Sequence, residues 1–399
     1  PSLTESLMRG MTDFGVDVVD LGQISTEIHY YVSGVYGYDA NVIVSASHNP
    51  GEYNGLKAVV QGVVPLHGGY GFPEIKELLM QEVEPVSKKG TVTQLDVLQE
   101  FVEYVLKKVN PEGAKGMKVV VDCGNGMGGP VWQEIAGKVP FEISPLYFEP
   151  DGRFPNHLAD PIKDENVQDL IAAVREQGAD IGIAVDGDAD RVFFVDENGT
   201  KFSGTVTTAI FADYLLRKGK SGSYFYNANI GRIVPETVEK YGSTAIRTKV
   251  GHSGIKQLMR EHNGIFAGEH SGHFYFDDNF NAESSLYEGL LMMQILAEYG
   301  KKASEIRQSF DVYPQSGEKN FKVQDAEEVL IALRKAFQPH AVSVDELDGL
   351  SFWFTDWWFI VRKSKTEPLL RLNVEADNEK ILQERMGEVI GIIEWHISE

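Results

Sequence analysis

Short apolar stretches alternate along this chain with longer ones whose apolar residues recur at helical spacing. At the start, Ser2-Leu3-Thr4-Glu5 has the spacing of a capping box, so a helix begins at once, runs through Leu7, Met8 and Met11, and stops near Gly15. An alternating strand over 16–20, a second helix and a buried apolar strand over 41–44 then predict a βαβ unit of a parallel sheet. The alternation continues. Leu98, Phe101, Val102, Val105 and Leu106 mark one face of a helix over 96–109, and the strand 118–121 leads into a glycine-rich loop, 122–129. A helix over 167–177 precedes a strand over 181–185, and Asn198-Gly199 predicts a hairpin with a type I′ turn. A further α/β block covers 203–308. Beyond it, helix 326–337, strands 351–362 and 369–375 and helix 378–395 predict a small α+β domain. No fixed-period repeat or low-complexity tract interrupts the pattern.

Composition adds bounds. The chain has 399 residues, with 37 Lys+Arg against 59 Asp+Glu and a formal charge of −22. Such an acidic balance argues against a nucleic-acid or anionic-membrane partner. A hydrophobic content of 42% with 24% charged residues is that of folded protein rather than disordered chain. Cys123 stands alone, which excludes an intramolecular disulfide and a multi-cysteine metal site. Without a membrane-length apolar run or a signal-peptide pattern, a cytoplasmic location is expected.

Four loops carry candidate chemistry. Ser45-Ala46-Ser47-His48-Asn49-Pro50 follows the strand at 41–44, where ligands of α/β sheets bind, and Asn54-Gly55-Leu56-Lys57 returns a cation nearby. A plain turn capped by Ser47 is the structural alternative. Asp186-Gly187-Asp188-Ala189-Asp190-Arg191 places three carboxylates at every second position, a pattern that suits a hard cation such as Mg²⁺ with places left for water and a phosphate oxygen. Arg191 is positioned in sequence to pair with that phosphate. Gly268-Glu269-His270-Ser271-Gly272-His273 offers a carboxylate and a hydroxyl for a polyol, and His273 as a proton shuttle. Arg362-Lys363-Ser364-Lys365-Thr366-Glu367-Pro368 groups cations and hydroxyls as a phosphate cradle, with a solvated loop as the alternative. The loop 122–129 lacks both P-loop and dinucleotide spacing and reads as structural.

In this order, the four loops resemble those of the α-D-phosphohexomutase superfamily, most closely its phosphomannomutase/phosphoglucomutase branch, across essentially the whole chain. The resemblance implies three related α/β domains with mixed sheets plus a C-terminal α+β domain around a central cleft that closes on its ligand. On this chain they fall at 1–97, 98–200, 201–310 and 311–399, with the family's opening strand and two arginine-bearing segments expected ahead of Pro1. It also implies a reaction: hexose 1-phosphate and hexose 6-phosphate interconvert through a phosphoserine and a hexose 1,6-bisphosphate. Ser47 would carry the phosphoryl group, Mg²⁺ would sit on Asp186, Asp188, Asp190 and the Ser47 phosphate, and His48, Lys57, Arg191 and His273 would complete the catalytic set. Glu269 and Ser271 would hold sugar hydroxyls, Arg362, Ser364, Lys365 and Thr366 the non-reacting phosphate, with Lys249 and His252 lining the same cleft. The partners implied are hexose phosphates, for a monomer or homodimer.

The sequence departs from that pattern in places. Lys365 replaces a common Asn, and Asn227-Ala228-Asn229-Ile230-Gly231 lacks the lysine many relatives carry there. His270 and Lys365 differ from the Gln and Gly typical of phosphoglucosamine mutases, favouring a hexose over an aminohexose; mannose and glucose are not separated. A non-catalytic sugar-phosphate-binding relative is the alternative of another class, and it would lack Ser47, the Asp triad or Arg191, all of which are present.

Overall fold

The computed structural model describes residues 2–49, 51–81, 84, 86–364 and 368–396. In chain order, α1 (Ser2–Asp13), β1 (Val18–Asp20), α2 (Thr26–Val35), β2 (Ala40–Val44), β3 (Leu56–Val60), β4 (Val64–Pro65), α3 (Phe72–Leu79) and β5 (Val92–Gln94) come first. Then follow α4 (Leu98–Lys108), β6 (Lys118–Asp122), α5 (Gly128–Ile135), β7 (Glu142–Leu146), α6 (Gln168–Gln177), β8 (Ile181–Val185) and β9 (Val192–Asp196). The third block holds α7 (Gly204–Arg217), β10 (Ser223–Asn227), α8 (Ile233–Lys240), β11 (Thr244–Thr248), α9 (His252–Glu261), β12 (Phe266–Gly268), β13 (Phe274–Phe276), α10 (Ser285–Tyr299) and α11 (Ala303–Phe310). The last is β14 (Lys319–Lys322), α12 (Ala326–Phe337), β15 (Ser343–Asp345), β16 (Leu350–Trp353), β17 (Trp357–Lys363), β18 (Leu369–Ala376) and α13 (Glu379–Trp395). Two compact units result: 1–203, 256–266 and 271–306 form the first, and 204–255, 267–270 and 307–399 the second.

In the first unit, a four-stranded sheet has the order β7-β6-β8-β9. Strand β6 is parallel to β7 and β8, whereas β9 returns antiparallel beside β8 with Val185 opposite Val192. Both β8 and β9 are buried along their whole length, which is why their sequences are continuous apolar runs. Val120, Ala184, Phe193 and Val195 pack against Leu170 and Val174 of α6. Because β8 and β9 are register neighbours, residues 186–191 must reverse the chain within one tight turn. The glycine-rich loop after β6 braces it: Met127 N–H donates to the Gly187 carbonyl at 2.9 Å, and a Cβ on Gly126 would lie 2.6 Å from the same oxygen.

Two local expectations are corrected. β1 and β2 do not form a parallel βαβ pair: β1 lies parallel to β5, and β2 lies antiparallel to β3 in a half-buried three-stranded sheet. Thr91 decides the first pairing, its N–H and hydroxyl both donating to Asp17 Oδ1 at 2.9 and 2.8 Å. The 45–55 loop decides the second, because it folds the chain straight back onto β2 and Ser45 N–H meets the Gly55 carbonyl at 3.0 Å. The turn after β9 is likewise not type I′, which needs positive φ at both central residues. Among these residues only Gly199 is left-handed, at φ 79°, and Asp196 Oδ1 accepts from Asn198 and Thr200 N–H, drawing the chain into an Asx turn.

Glu27 of α2 is 1% exposed and caps α10. Its Oε2 accepts from Ser284 Oγ at 2.7 Å and Leu286 N–H at 3.0 Å, while Glu288 Oε1 accepts from Ser284 N–H to complete a capping box. Burial pushes the Glu27 carboxyl up to about 7, against those donors.

The second unit carries β11, β10 and β12 side by side and, apart from them, the antiparallel sheet β14-β18-β17-β16-β15. Helices α12 and α13 cover one face of that sheet through Val329, Leu333, Leu382, Val389 and Ile393, an α+β arrangement. The expected strand 351–362 is a hairpin, β16 and β17, closed by Phe354 N–H on the Trp357 carbonyl at 2.9 Å. On the other face, Trp353 and Trp358 stack at 4.5 Å, with Arg247 over both rings and paired to Asp345 at 2.7 Å.

Glu27 generates a pH prediction. Its folded value lies above the unfolded one, so the folded state binds the proton more tightly, and the resulting stability is complete below pH ~4.5 and lost as pH rises through ~7. Urea unfolding should show a loss on the order of 3 kcal/mol across that window, and Glu27→Gln should flatten it.

Candidate active site

Local geometry first explains the serine. Ser47 sits at φ 54°, the left-handed region where a non-glycine residue is strained, and its N–H donates to Ser45 Oγ at 2.9 Å. Gly187 allows this loop to approach: a Cβ there would lie 2.4 Å from the Ser47 carbonyl oxygen. Ser47 Oγ then rests 3.0 Å from His48 Nδ1 and 3.2 Å from Asp186 Oδ2. Burial, aided by the Arg191 charge, pulls the His48 imidazole down to about 4, so the ring is neutral at pH 7.

The turn 186–191 is closed by its own first residue. Asp186 Oδ1 accepts from Asp190 and Arg191 N–H at 3.0 and 3.1 Å, and Ala189 takes φ 64°. Asp186, Asp188 and Asp190 are 0, 3 and 4% exposed, and one oxygen from each lies within 4.8 Å of the others. Burial and the two neighbouring carboxylates push the Asp186 carboxyl up to about 7, with Arg191 acting the other way.

Lys57 answers most of this charge. Its Nζ donates to Asp188 Oδ2 and Asp190 Oδ2 at 2.6 Å each. Burial alone would lower the ammonium, yet Asp190 and Asp188 hold it well above the ordinary lysine value. Asp188 Oδ2 also accepts from Thr26 Oγ1 at 2.8 Å and Ser45 Oγ at 3.0 Å, whereas its Oδ1 is buried with no hydrogen-bond partner. An orphaned carboxylate oxygen inside an all-oxygen donor set that already attracts an ammonium fits a hard divalent cation.

Arg191 is buried, 4% exposed, its guanidinium donating to Asp186 Oδ2 and Asp160 Oδ1 at 3.0 Å each and keeping one nitrogen without a partner. A buried Asp186 needs a counter-charge of its own because Lys57 is committed to the other two carboxylates. Asp160, Ser45 and Thr26 were not assigned roles from the sequence. Ser45 stood in the quoted loop, but Thr26 and Asp160 belong to no local pattern and reach the turn only through folding.

His273 joins the same unit, its Nε2 3.5 Å from Asp190 Oδ1 and its Nδ1 2.8 Å from Ser271 Oγ. The remaining candidates lie in the second unit. Glu269 is 2% exposed and its Oε2 accepts from Asn227 Nδ2 at 3.1 Å and Gly251 N–H at 3.2 Å. Lys249 is exposed and His252 opens α9. Arg362 pairs with Asp348 at 2.9 Å, Asp348 also accepting Val250 N–H, and Ser364 N–H meets the Leu369 carbonyl. Lys365 and Thr366 lie outside the described residues.

Comparison with known proteins bears on this arrangement directly. The phosphoglucomutase/phosphomannomutase family matches as alpha/beta/alpha domain I over residues 1–69, domain II over 99–199, domain III over 203–313 and the C-terminal domain over 318–392. The chain belongs to the phosphoglucomutase/phosphomannomutase family. A phosphomannomutase of Methanocaldococcus jannaschii is 36% identical over 393 residues, covering 94% of this chain and 84% of its own. One from Vibrio cholerae is 34% identical, covering 98% and 87%. A phosphoglucomutase/phosphomannomutase family protein from Burkholderia thailandensis superposes with a TM-score of 0.88 at 28% identity, covering 99% of this chain and 86% of its own. The present mutase therefore has the family's four domains, three α/β and one C-terminal, and is an isomerase that transfers a phosphoryl group. No helix among its described residues is long and apolar enough to cross a membrane.

Ser45 yields a prediction for the mutase. Its hydroxyl links Ser47 N–H to Asp188, so Ser45→Ala leaves both groups short of a partner at a cost of about 1–2 kcal/mol. Steady-state kinetics should show kcat/KM lowered roughly tenfold, with the far-UV circular dichroism unchanged.

Proposed function

We propose that this mutase interconverts the 1- and 6-phosphates of mannose or glucose, passing the phosphoryl group through Ser47 and a hexose 1,6-bisphosphate. The observation that carries this reading is the strained Ser47, whose Oγ lies 3.2 Å from a buried aspartate of a three-carboxylate turn. A nucleophilic or leaving oxygen beside a dedicated cation position is what phosphoryl transfer requires.

Phosphorylated Ser47 gives its phosphoryl group to the free hydroxyl of a bound hexose monophosphate. The Ser47 Oγ–P bond breaks as the sugar O–P bond forms. The proton leaving that hydroxyl passes to His273, whose Nε2 lies 3.5 Å from Asp190 Oδ1. After the bisphosphate turns over in the site, its other phosphate returns to Ser47. Mg²⁺ on Asp186, Asp188, Asp190 and the Ser47 phosphate would supply electrostatic stabilisation of the transferred group. Lys57 adds positive charge beside it, His48 offers Ser47 Oγ a neutral acceptor, and Arg191 holds Asp186 in place. Ser271 and Glu269 are assigned to sugar hydroxyls, and Lys249 and His252 to substrate binding. Arg362, Ser364, Lys365 and Thr366 are assigned to the non-reacting phosphate. The four domains divide at 97/98, 200/201 and 310/311 on this reading.

Intact-mass analysis of the full chain after incubation with glucose 1,6-bisphosphate and Mg²⁺ tests the phosphoserine. One phosphate adduct should map to Ser47 and vanish in Ser47→Ala; an adduct that survives this substitution sinks the reading. A coupled assay with mannose 1-phosphate, glucose 1-phosphate and glucosamine 1-phosphate should give turnover with the first two. Turnover confined to glucosamine 1-phosphate would instead make the chain a phosphoglucosamine mutase.

A further inference from the structure

Asp190 faces two ways. Its Oδ2 joins Lys57 at 2.6 Å on the side of the carboxylate triad, while its Oδ1 points to His273 Nε2 at 3.5 Å. Beyond that oxygen lies Glu283, 1% exposed, placed just before the Ser284 cap of α10. Ligand atoms of Asp190, His273 and Glu283 all fall within 4.8 Å of one another. Glu283 Oε1 and Asp190 Oδ1 are buried with no hydrogen-bond partner. Lys256, fully buried, pairs with Glu283 Oε2 at 2.5 Å and rests on the Tyr30 ring with Nζ 3.7 Å from its centroid. That leaves Glu283 Oε1 without a partner.

We propose that Asp190 Oδ1, His273 and Glu283 form a second cation site, separate from the carboxylate triad, selective for a nitrogen-accepting transition ion such as Zn²⁺. Donor chemistry separates the two positions. The triad offers oxygen alone, which suits Mg²⁺, whereas the second group adds an imidazole nitrogen, a donor that Zn²⁺ takes beside carboxylate oxygens. Bonds of about 2.0–2.2 Å put the donors of one Zn²⁺ within roughly 4 Å of each other, so a group already inside 4.8 Å needs only a small closing. Asp190 would bridge the two positions through its two oxygens, as carboxylates do in paired-metal sites. His273 is 20% exposed on its side chain, which opens the fourth position to water.

Charge favours the same conclusion. Asp160, Asp186, Asp188, Asp190 and Glu283 meet Lys57, Arg191, Lys256 and, at 4.0 Å, Lys163, so carboxylates outnumber the cations paired with them. A phosphate on Ser47 adds negative charge that a second divalent ion offsets. The consequence for catalysis is inhibitory, because an imidazole bound to Zn²⁺ no longer accepts a proton. This rests on the role given to His273 above, whereas Zn²⁺ binding itself does not.

The test is a Zn²⁺ titration of the full chain saturated with Mg²⁺, read by calorimetry and by X-ray absorption at the zinc edge. One equivalent should bind in the presence of excess Mg²⁺, with one imidazole nitrogen in its coordination sphere. His273→Gln and, separately, Glu283→Gln should each weaken it at least about tenfold. His273 is the safer variant because its side chain is partly exposed. Expulsion of Zn²⁺ by excess Mg²⁺, or unchanged affinity in His273→Gln, overturns the proposal. Neither readout depends on the Ser47 adduct, so the second site and the phosphoserine fail or stand separately.

Discussion

Three carboxylates buried in a single turn are the constraint on which the first unit depends. Asp186, Asp188 and Asp190 are all under 5% exposed, and without compensation their mutual repulsion and desolvation would open the β8–β9 turn. The compensation comes from several parts of the chain. Arg191, shared with Asp160, holds Asp186, while Lys57, Thr26 and Ser45 converge on one oxygen of Asp188. Lys57 and His273 divide Asp190 between them. The compensation leaves selected oxygens, Asp188 Oδ1 and Asp190 Oδ1, short of donors.

The same constraint explains the glycines around the turn. Gly187 lets the Ser47 carbonyl come close, and Gly126 lets the loop after β6 press against Gly187. A side chain at Gly187 would push the Ser47 loop off the carboxylate turn, and one at Gly126 would push the loop after β6 off it. The strained φ of Ser47 belongs to the same compression, held by the Ser45 hydroxyl and by the β2–β3 pairing that frames the loop. Helix α10 completes the arrangement from beneath: Glu27 and Glu288 cap its first turn, and Glu283 precedes it at the edge of the site.

Much of this was legible in local patterns. The helices over 2–13 and 326–337, the continuous apolar strands β6 and β8, and the α+β character of the last segment follow from periodicity and caps. The three-aspartate turn was legible as three carboxylates directly after a buried strand, and the fold brings one oxygen from each within 4.8 Å of the others. Strand partnership was not legible. β1 reads as the first half of a βαβ unit, yet it pairs with β5, more than 70 positions further on by the Asp17–Thr91 bond.

The sequence by itself determined which residue types were available for chemistry and in what local order: a serine before Asn-Pro, three aspartates before an arginine, a Glu-His-Ser-Gly-His loop. These signals survive in sequence because a turn's geometry is set by neighbours. Tertiary structure alone decided how charge was distributed among them. It turned Arg191 inward to Asp186 and Asp160, set Lys57 between two aspartates, and aimed Asp190 Oδ1 at His273 with Glu283 beyond. Burial is the physical reason, since it makes each unpaired charge expensive and so selects partners by distance in space, which no spacing along the chain records.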